Sequence, residues 1–515
     1  MSGALLVLGT HSDAGKSAVA AGLCRALRRR GISVAPFKAQ NMSLNSVVTP
    51  DASAEIGRAQ AVQAAAAGVE PEAAMNPVLL KPSGEGRSQV ILMGVAHAEL
   101  DARDYQKLKP SLRAPVLDAL ASLRRRYDVV ICEGAGSPAE INLRADDLAN
   151  LGLARNAGIP AILVGDIDRG GMFASLYGTL ALLDPGDQRL VAGFLVNKFR
   201  GDPEILRPGL ERLGELTGRP TFGVLPWQDG LWVDAEDSLA LLLADAATHE
   251  APALGADGIE VAAVRLRWIS NFTDLDALAL EPGVAVRFTR SAAEIRRADL
   301  VVVPGTKQTV ADLEHLRECG LDRALADRAA AGGPILGICG GYQMLGEIID
   351  DPVESGRGRV RGLGLLPIET RFQPRKRLAW TSGEVPLLGR VPVRGYEIRH
   401  GRINRLGAAP LLESEAGEEG CVQGAVLGTS LHGAVECDEF RQALLGWVAE
   451  RRGLAFVPGT ASFAAAREAR LDALGDLVDE HADVDALIAL IEQGPPPEAP
   501  AVQARALAPF VGGMN

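Results

Sequence analysis

No run of apolar residues in this chain approaches the roughly 18 needed to cross a bilayer. The longer ones, such as Ala161–Gly165, have the length of buried parallel strands. The N-terminus has no basic stretch followed by a cleavage site and runs directly into an apolar strand. Only six cysteines occur, at 24, 132, 319, 339, 421 and 437, and no two form a CxxC pair. That speaks against a disulfide framework or a zinc site and fits a reducing, cytoplasmic setting. Positive charge is scarce as well: 53 Lys and Arg against 65 Asp and Glu give a net charge of -12. Coating nucleic acid or an anionic membrane needs clustered cations, so neither partner is expected, whereas a local anion site remains possible. There is no internal repeat.

What the chain does have is alternation of strands and helices. At 515 residues it exceeds what one core can hold, so two or three domains are expected. Ala4–Leu8, Val34–Phe37, Asp128–Cys132, Ile159–Val164, Val191–Val196 and Thr221–Leu225 read as strands, with helices at Ser17–Arg30 and Ala114–Arg126. The pattern lapses over Ala-rich residues 236–258 and restarts with strands at Ile259–Leu266, Val284–Thr289, Leu300–Val303 and Ile335–Ile338. The expectation is two doubly wound α/β domains, 1–235 and 259–455, joined by a linker at 236–258. Residues 362–432 read as Gly-rich with short strands. Helices are expected at Ala464–Glu480, capped by Ser462, and at Val484–Gln493, forming a C-terminal unit over 456–493. The Pro- and Ala-rich tail, 494–515, reads as disordered.

Gly9-Thr10-His11-Ser12-Asp13-Ala14-Gly15-Lys16-Ser17 follows a strand and opens a helix, the context a phosphate-binding P-loop requires. Backbone N–H groups over Thr10, Asp13, Ala14 and Gly15 would face phosphate oxygens at the positive end of the helix. Lys16 would bridge the β- and γ-phosphates of ATP and Ser17 would hold Mg²⁺. Glu133 ends a strand, where ligands gather in a doubly wound sheet, and is a second Mg²⁺ candidate. Lys38, after the second strand, could neutralise charge during phosphoryl transfer. Asp166 and Asp168 are further candidates, or caps of the next helix.

A second site lies in Ile335-Leu-Gly-Ile-Cys339-Gly340-Gly341-Tyr342. Strand, sharp glycine turn and helix form a nucleophile elbow. A thiol there faces a helix N-terminus, which favours the thiolate. The Gly340 N–H would lie near an oxyanion, and the turn Pro304–Lys307 could add another or be only a turn. Cys339 needs a base, and the spacing leaves both His432 and His400 open.

Longer stretches join these motifs. They include Pro36-Phe-Lys38-Ala-Gln40-Asn41-Met-Ser, Glu55-Ile-Gly-Arg58-Ala-Gln60, Cys132-Glu133-Gly-Ala-Gly-Ser137-Pro-Ala-Glu140, Asp166-Ile-Asp168-Arg169-Gly-Gly and Ser270-Asn-Phe-Thr-Asp274. Taken together, they make the chain resemble the cobyric acid synthase family of cobalamin biosynthesis over nearly its whole length. The first half is also similar to dethiobiotin synthetase and the second to class I glutamine amidotransferases, which have a flavodoxin-like fold.

The resemblance implies a glutamine-hydrolysing ligase with Cys339 as nucleophile, His432 as base, and Lys38 and Glu133 at the ATP site. It implies amidation of the b, d, e and g carboxylates of adenosylcobyrinic acid a,c-diamide, or a cobalt-free relative, through acyl phosphates. ATP, glutamine and the corrinoid are the implied small-molecule partners. Class I amidotransferases often carry a Glu two residues after the catalytic His, where this chain has Ala434. A third triad member is therefore absent or comes from elsewhere. The rival readings are the sibling cobyrinic acid a,c-diamide synthase and, in another class, a partitioning ATPase with a P-loop fold. The acidic C-terminal helices and the cysteine elbow speak against the latter.

Overall fold

The computed structural model describes residues 3–84, 86–228, 231, 258–415, 417–497 and 499–502. The expected linker falls almost wholly outside the described residues, as do 503–515 of the tail.

The first domain is built on a six-stranded parallel sheet. In spatial order its strands are Thr221–Pro226, Val191–Phe199, Ala161–Asp166, Gly3–Gly9, Val129–Glu133 and Val34–Phe37. Gly3–Gly9 is buried at every position, as a strand covered by helices on both faces must be. Because the strands run in parallel, their C-terminal ends collect along one edge. The P-loop, Lys38, Glu133 and Asp166 all lie there.

A smaller four-stranded sheet follows the second strand: Gln40–Met42, Val78–Gly84, Arg87–Leu92 and Val95–Asp101. The helix expected at Ala114–Arg126 begins at Ala102 and passes through Pro110 and Pro115. Prolines normally end a helix. Here buried Tyr105, Lys109, Leu112, Val116, Ala119 and Leu123 keep one continuous helical stripe, and its packing outweighs the lost backbone bonds.

The second domain has its own six-stranded sheet, ordered Val284–Thr289, Ile259–Val264, Leu300–Val303, Ile335–Ile338, Val426–Thr429 and Cys421–Gln423. Five of these strands run parallel and the last is antiparallel. Between its fourth and fifth strands is a long antiparallel pair, Ile368–Val385 with Val391–Arg405. Short strands were expected in this region. Charged and small residues hide the alternation that the strand pairing reveals.

The C-terminal helices, Phe463–His481 and Val484–Gln493, return to the first domain. Gly22 on the helix Lys16–Arg29 lets the first of them approach: a Cβ there would meet Leu474 O at 2.7 Å. Asp472 and Asp476 pair with Arg29 at 2.8 and 2.5 Å. The acidic face is thus spent on an intramolecular contact. Ser462 occupies the N-cap position, but its side chain makes no cap bond, and Asp438 accepts the Phe463 N–H at 2.9 Å. The first described part of the tail is also docked: Pro500 O accepts from Arg219, and Val502 exchanges hydrogen bonds with Gln188. Among the described residues no helix is long and apolar enough to cross a membrane.

The two domains meet through the hairpin Ser46–Val48/Glu55–Gly57, which packs Val47, Val48 and Ile56 on Tyr396 and Ile398. Tyr396 OH donates to Ser46 O at 3.1 Å, and Trp380 Nε1 donates to Thr49 O at 3.0 Å.

Candidate active site

At the first site the P-loop joins strand Gly3–Gly9 to helix Lys16–Arg29. Gly15 has φ +96, and a Cβ there would come within 1.9 Å of Asn197 Nδ2, so only glycine fits. Asn197 donates to Ala14 O at 3.1 Å, and the Thr10 N–H donates to Val164 O at 3.0 Å. The buried Thr10 Oγ1 has no hydrogen-bond partner among the described residues. Lys16 is curled back, donating to His11 O at 3.0 Å. Asp13 turns outward and pairs with Arg169 at 2.8 Å.

Glu133 is fully buried and is the hub of this site. Its Oε1 accepts from Ser17 Oγ at 2.8 Å and from Lys38 Nζ at 2.9 Å, and its Oε2 accepts from Gln63 Nε2. Burial alone would push its carboxyl up, but Lys38 and the three hydrogen bonds hold it below its ordinary value. Gln63 went unrecognised in the sequence because nothing local marks it. It lies on the helix Arg58–Ala67, whose packing alone turns it to Glu133.

Of the two aspartates, Asp166 is buried and accepts from Lys198 at 2.9 Å, while Lys198 also donates to Asp13 O at 2.8 Å. Asp168 pairs with Arg200 on the surface. Ser17 and Glu133 put one hydroxyl and one carboxylate side by side, and no cluster of three or more acidic, His or Cys ligands exists among the described residues. That donor set fits Mg²⁺, which keeps several waters and takes further oxygens from phosphate.

At the second site Cys339 has φ 49 and ψ -106, a conformation rare for a non-glycine residue. It stands between strand Ile335–Ile338 and helix Gly340–Leu345, and its N–H donates to Thr429 O at 2.7 Å. Gly340 packs on the turn Pro304–Lys307: a Cβ on it would lie 3.0 Å from Thr306 N. The Lys307 N–H is taken by Trp268 O at 2.9 Å, which removes it as an oxyanion donor.

His432 and His400 both line the cavity in front of Cys339. Among the described residues only His432 has a carboxylate partner: its Nδ1 bonds Asp274 Oδ2 at 2.6 Å, and Asp274 Oδ1 accepts the Gly433 N–H at 2.9 Å. Burial opposes charge on the ring, but Asp274 and Cys339 outweigh it and raise its pKa to about 10. His400 Nδ1 faces Gln373 O at 2.9 Å, its Nε2 has no partner among the described residues, and burial draws its pKa down. Gly305 makes room for the His432 ring, since a Cβ there would lie 2.9 Å from Cε1. Ala434 is buried, and the next carboxylate, Glu436, is turned away to Arg58 and Arg467. Asp274 therefore stands where a third triad member would. The Ser270–Asp274 run signals it in the sequence, but the spacing does not assign it a partner.

The cavity before Cys339 reaches Lys81 of the first domain. Lys81 and Lys376 flank the buried Glu55 at 2.6 and 2.8 Å, and Ser46 Oγ donates to the same carboxylate at 2.8 Å. Burial draws Lys376 down to about 8 despite its partner. Ser46 N–H donates to Asn271 Oδ1 at 2.9 Å, which ties this cluster to the cavity wall.

A P-loop α/β domain fused to a domain with a cysteine elbow defines a glutamine-dependent ligase. Residues 5–240 match the CobQ/CobB/MinD/ParA nucleotide binding domain, and residues 260–440 match the CobB/CobQ-like glutamine amidotransferase domain. The chain is 57% identical to a cobyric acid synthase of Rhodococcus jostii over 97% of this chain and 98% of that protein. Its identity to the cobyric acid synthase of Streptomyces coelicolor is 58%, over the same shares of each. To that of Mycolicibacterium paratuberculosis it is 56%, over 96% of this chain and 98% of the other. The chain belongs to the cobyric acid synthase family.

Proposed function

We propose that this enzyme uses ATP and glutamine to amidate the b, d, e and g carboxylates of adenosylcobyrinic acid a,c-diamide, or its cobalt-free relative, giving cobyric acid. The reading rests on the near-full-length likeness to cobyric acid synthases. A carboxylate does not react usefully with ammonia, because its leaving oxygen is poor. ATP corrects this by phosphorylating the carboxylate: the γ-phosphoryl group passes to a carboxylate oxygen, ADP leaves, and an acyl phosphate remains.

The P-loop amides other than that of Thr10, which is given to Val164 O, hold the phosphates together with Lys16, which leaves His11 O to do so. Lys38, fixed by Glu133, faces the transferring group. When bound by Ser17 and Glu133, Mg²⁺ supplies further neutralisation of phosphate charge. At the other site the Cys339 sulfur attacks the glutamine side-chain carbonyl, and Gly340 N–H steadies the oxyanion. The His432 imidazolium gives its proton to the departing nitrogen, releasing ammonia and a thioester. Water then cleaves the thioester, giving a proton back to His432 and leaving glutamate.

Ammonia enters the first domain past Lys81 and Ser46, where the Cys339 cavity meets the domain boundary. It displaces phosphate from the acyl phosphate to give the amide. The test is incubation with ATP, Mg²⁺, amide-¹⁵N glutamine and the a,c-diamide, followed by mass spectrometry. Four successive ¹⁵N amidations are expected. No reaction with the a,c-diamide but amidation of cobyrinic acid would favour the sibling diamide synthase. ATP hydrolysis with no glutamine use would favour a partitioning ATPase.

A further inference from the structure

A second cavity opens on the same edge of the first sheet as the phosphate loop, with walls formed by Gln40 and Ala135. These residues stand two positions after Lys38 and Glu133, so the cavity adjoins the Lys38–Glu133 pair. Lys109 lines it. Lys109 is buried (7% exposed), yet no hydrogen bond or ion pair reaches its ammonium among the described residues. Its Nζ lies 5.7 Å from the centroid of the Tyr105 ring. A largely buried lysine held by no direct ion pair is costly and rarely kept for stability. Burial also draws its pKa down, only partly offset by Asp147 and Asp146.

The other polar groups divide sharply. Acceptors are already used: the Asp147 carboxylate takes the N–H groups of Ala149, Asn150 and Gly152, and Asn150 is bonded to both backbone polar atoms of Ala135. Arg144 is committed to Asp187. Donors are left over. Tyr105 OH donates to Gln40 Oε1 at 2.6 Å, which orients the Gln40 amide and leaves its NH₂ without an acceptor among the described residues. Ser137 Oγ accepts from Ala139 N–H at 3.2 Å and keeps its own proton to give. Glu140, at the exposed rim, is the one carboxylate of the lining without a described partner.

A cavity with one unpaired cation and two free donors is complementary to an anion with several acceptors. We propose that Lys109, Gln40 and Ser137 form a subsite for one of the four reacting carboxylates of the corrinoid, anchoring it beside the phosphoryl-transfer site. This assignment rests on the function proposed above. Corrinoid is a better occupant than nucleotide because the phosphate loop already provides for the phosphates, with its own lysine and helix N-terminus.

The test uses the full-length enzyme and its Lys109→Met, Lys109→Arg and Ser137→Ala variants. Binding of the a,c-diamide, whose four reacting carboxylates are free, is compared by corrin absorbance with binding of the cobyric acid product, in which those four are amides. KM for the corrinoid and for ATP are measured alongside. A charged hydrogen bond in a buried site corresponds to about a 10- to 100-fold change in affinity. Lys109→Met should weaken a,c-diamide binding by that factor, raise the corrinoid KM but not the ATP KM, and abolish the preference for the carboxylate form. Lys109→Arg should restore part of the preference, and Ser137→Ala should weaken it several-fold. Removing an unpaired buried charge should also raise the melting temperature of Lys109→Met.

An unchanged corrinoid KM in Lys109→Met, an equal loss for a,c-diamide and product, or a rise in ATP KM alone would overturn the subsite. If Lys109→Met does not fold, Ser137→Ala and Lys109→Arg decide by the same preference ratio. A wild type that leaves the a,c-diamide unamidated overturns the function itself. A wild type that amidates it while the variants bind normally overturns only the subsite.

Discussion

Replacing Asp274 with Asn keeps the shape of the side chain but removes the charge that holds His432 protonated. Both side chains are buried, at 2% and 4% exposed, and their contact is 2.6 Å. The ring's pKa stands at about 10 rather than 6.5, against the pull of burial. At about 1.4 kcal/mol per unit, that is on the order of 4–5 kcal/mol in favour of the imidazolium. Asp274 is the largest favourable contributor.

In Asp274→Asn, Oδ1 can still accept from Gly433, but an amide NH₂ then faces His432 Nδ1. The ring must offer a lone pair there, and burial favours the neutral form. It can no longer supply the proton that ammonia needs on leaving Cys339. Loss of one buried charged hydrogen bond, about 2–3 kcal/mol, corresponds to roughly a 30- to 150-fold fall in glutamine hydrolysis. Ammonia-driven amidation should be spared.

The pH dependence has a definite sign. A raised histidine pKa stabilises the fold fully below about pH 6.5, and that contribution disappears as pH rises through about 10. Wild type should therefore lose melting temperature on the alkaline side, and Asp274→Asn should lose less. The measurements are glutaminase rates and thermal melts from pH 6 to 10. Hydrolysis within twofold of wild type, or an equal loss with ammonia as nitrogen source, would refute the reasoning.

Cys339→Ala should abolish glutamine use while amidation at high ammonium continues; retained glutamine hydrolysis in a coupled glutamate assay would contradict the nucleophile assignment. Lys38→Met should fail with either nitrogen source yet still hydrolyse glutamine. Because it strands the buried Glu133 charge, it should also cost about 3–5 kcal/mol in a urea melt. Glu55→Gln leaves Lys81 and Lys376 buried beside an uncharged amide and should cost a similar amount, with weakened coupling between glutamine hydrolysis and amidation. In wild type, burial opposes the Glu55 charge, but Lys376 and Lys81 hold its carboxyl far below the usual range. Its stabilisation is present above about pH 4.5 and goes only as pH falls through that depressed value, so acid melts should separate wild type from Glu55→Gln.

Much of the fold was legible because its signals are local. Apolar runs of strand length, separated by helical stretches, announced two parallel sheets. The extension of Ala102–Arg126 through two prolines was not legible, since Pro110 and Pro115 speak against a helix and only the packed stripe beneath them speaks for it. The long pair of strands at 368–405 was obscured for a similar reason: one face is solvated and irregular, and its register comes from the partner strand.

The sites divide along the same line. By itself the sequence determined the phosphate loop and the cysteine elbow, because each is a backbone shape set by glycines between a strand and a helix. The tertiary structure alone decided which side chains face them. Gln63 reaches Glu133 across 70 residues, and Asp274 reaches His432 across 158. It separated His432, which has a carboxylate, from His400, which faces a backbone carbonyl. It also buried Lys109 with no direct ion pair among the described residues. Backbone motifs are made of neighbours in the chain, whereas charge pairing and burial depend on what the fold brings within a few ångströms, and spacing along the sequence carries no record of that.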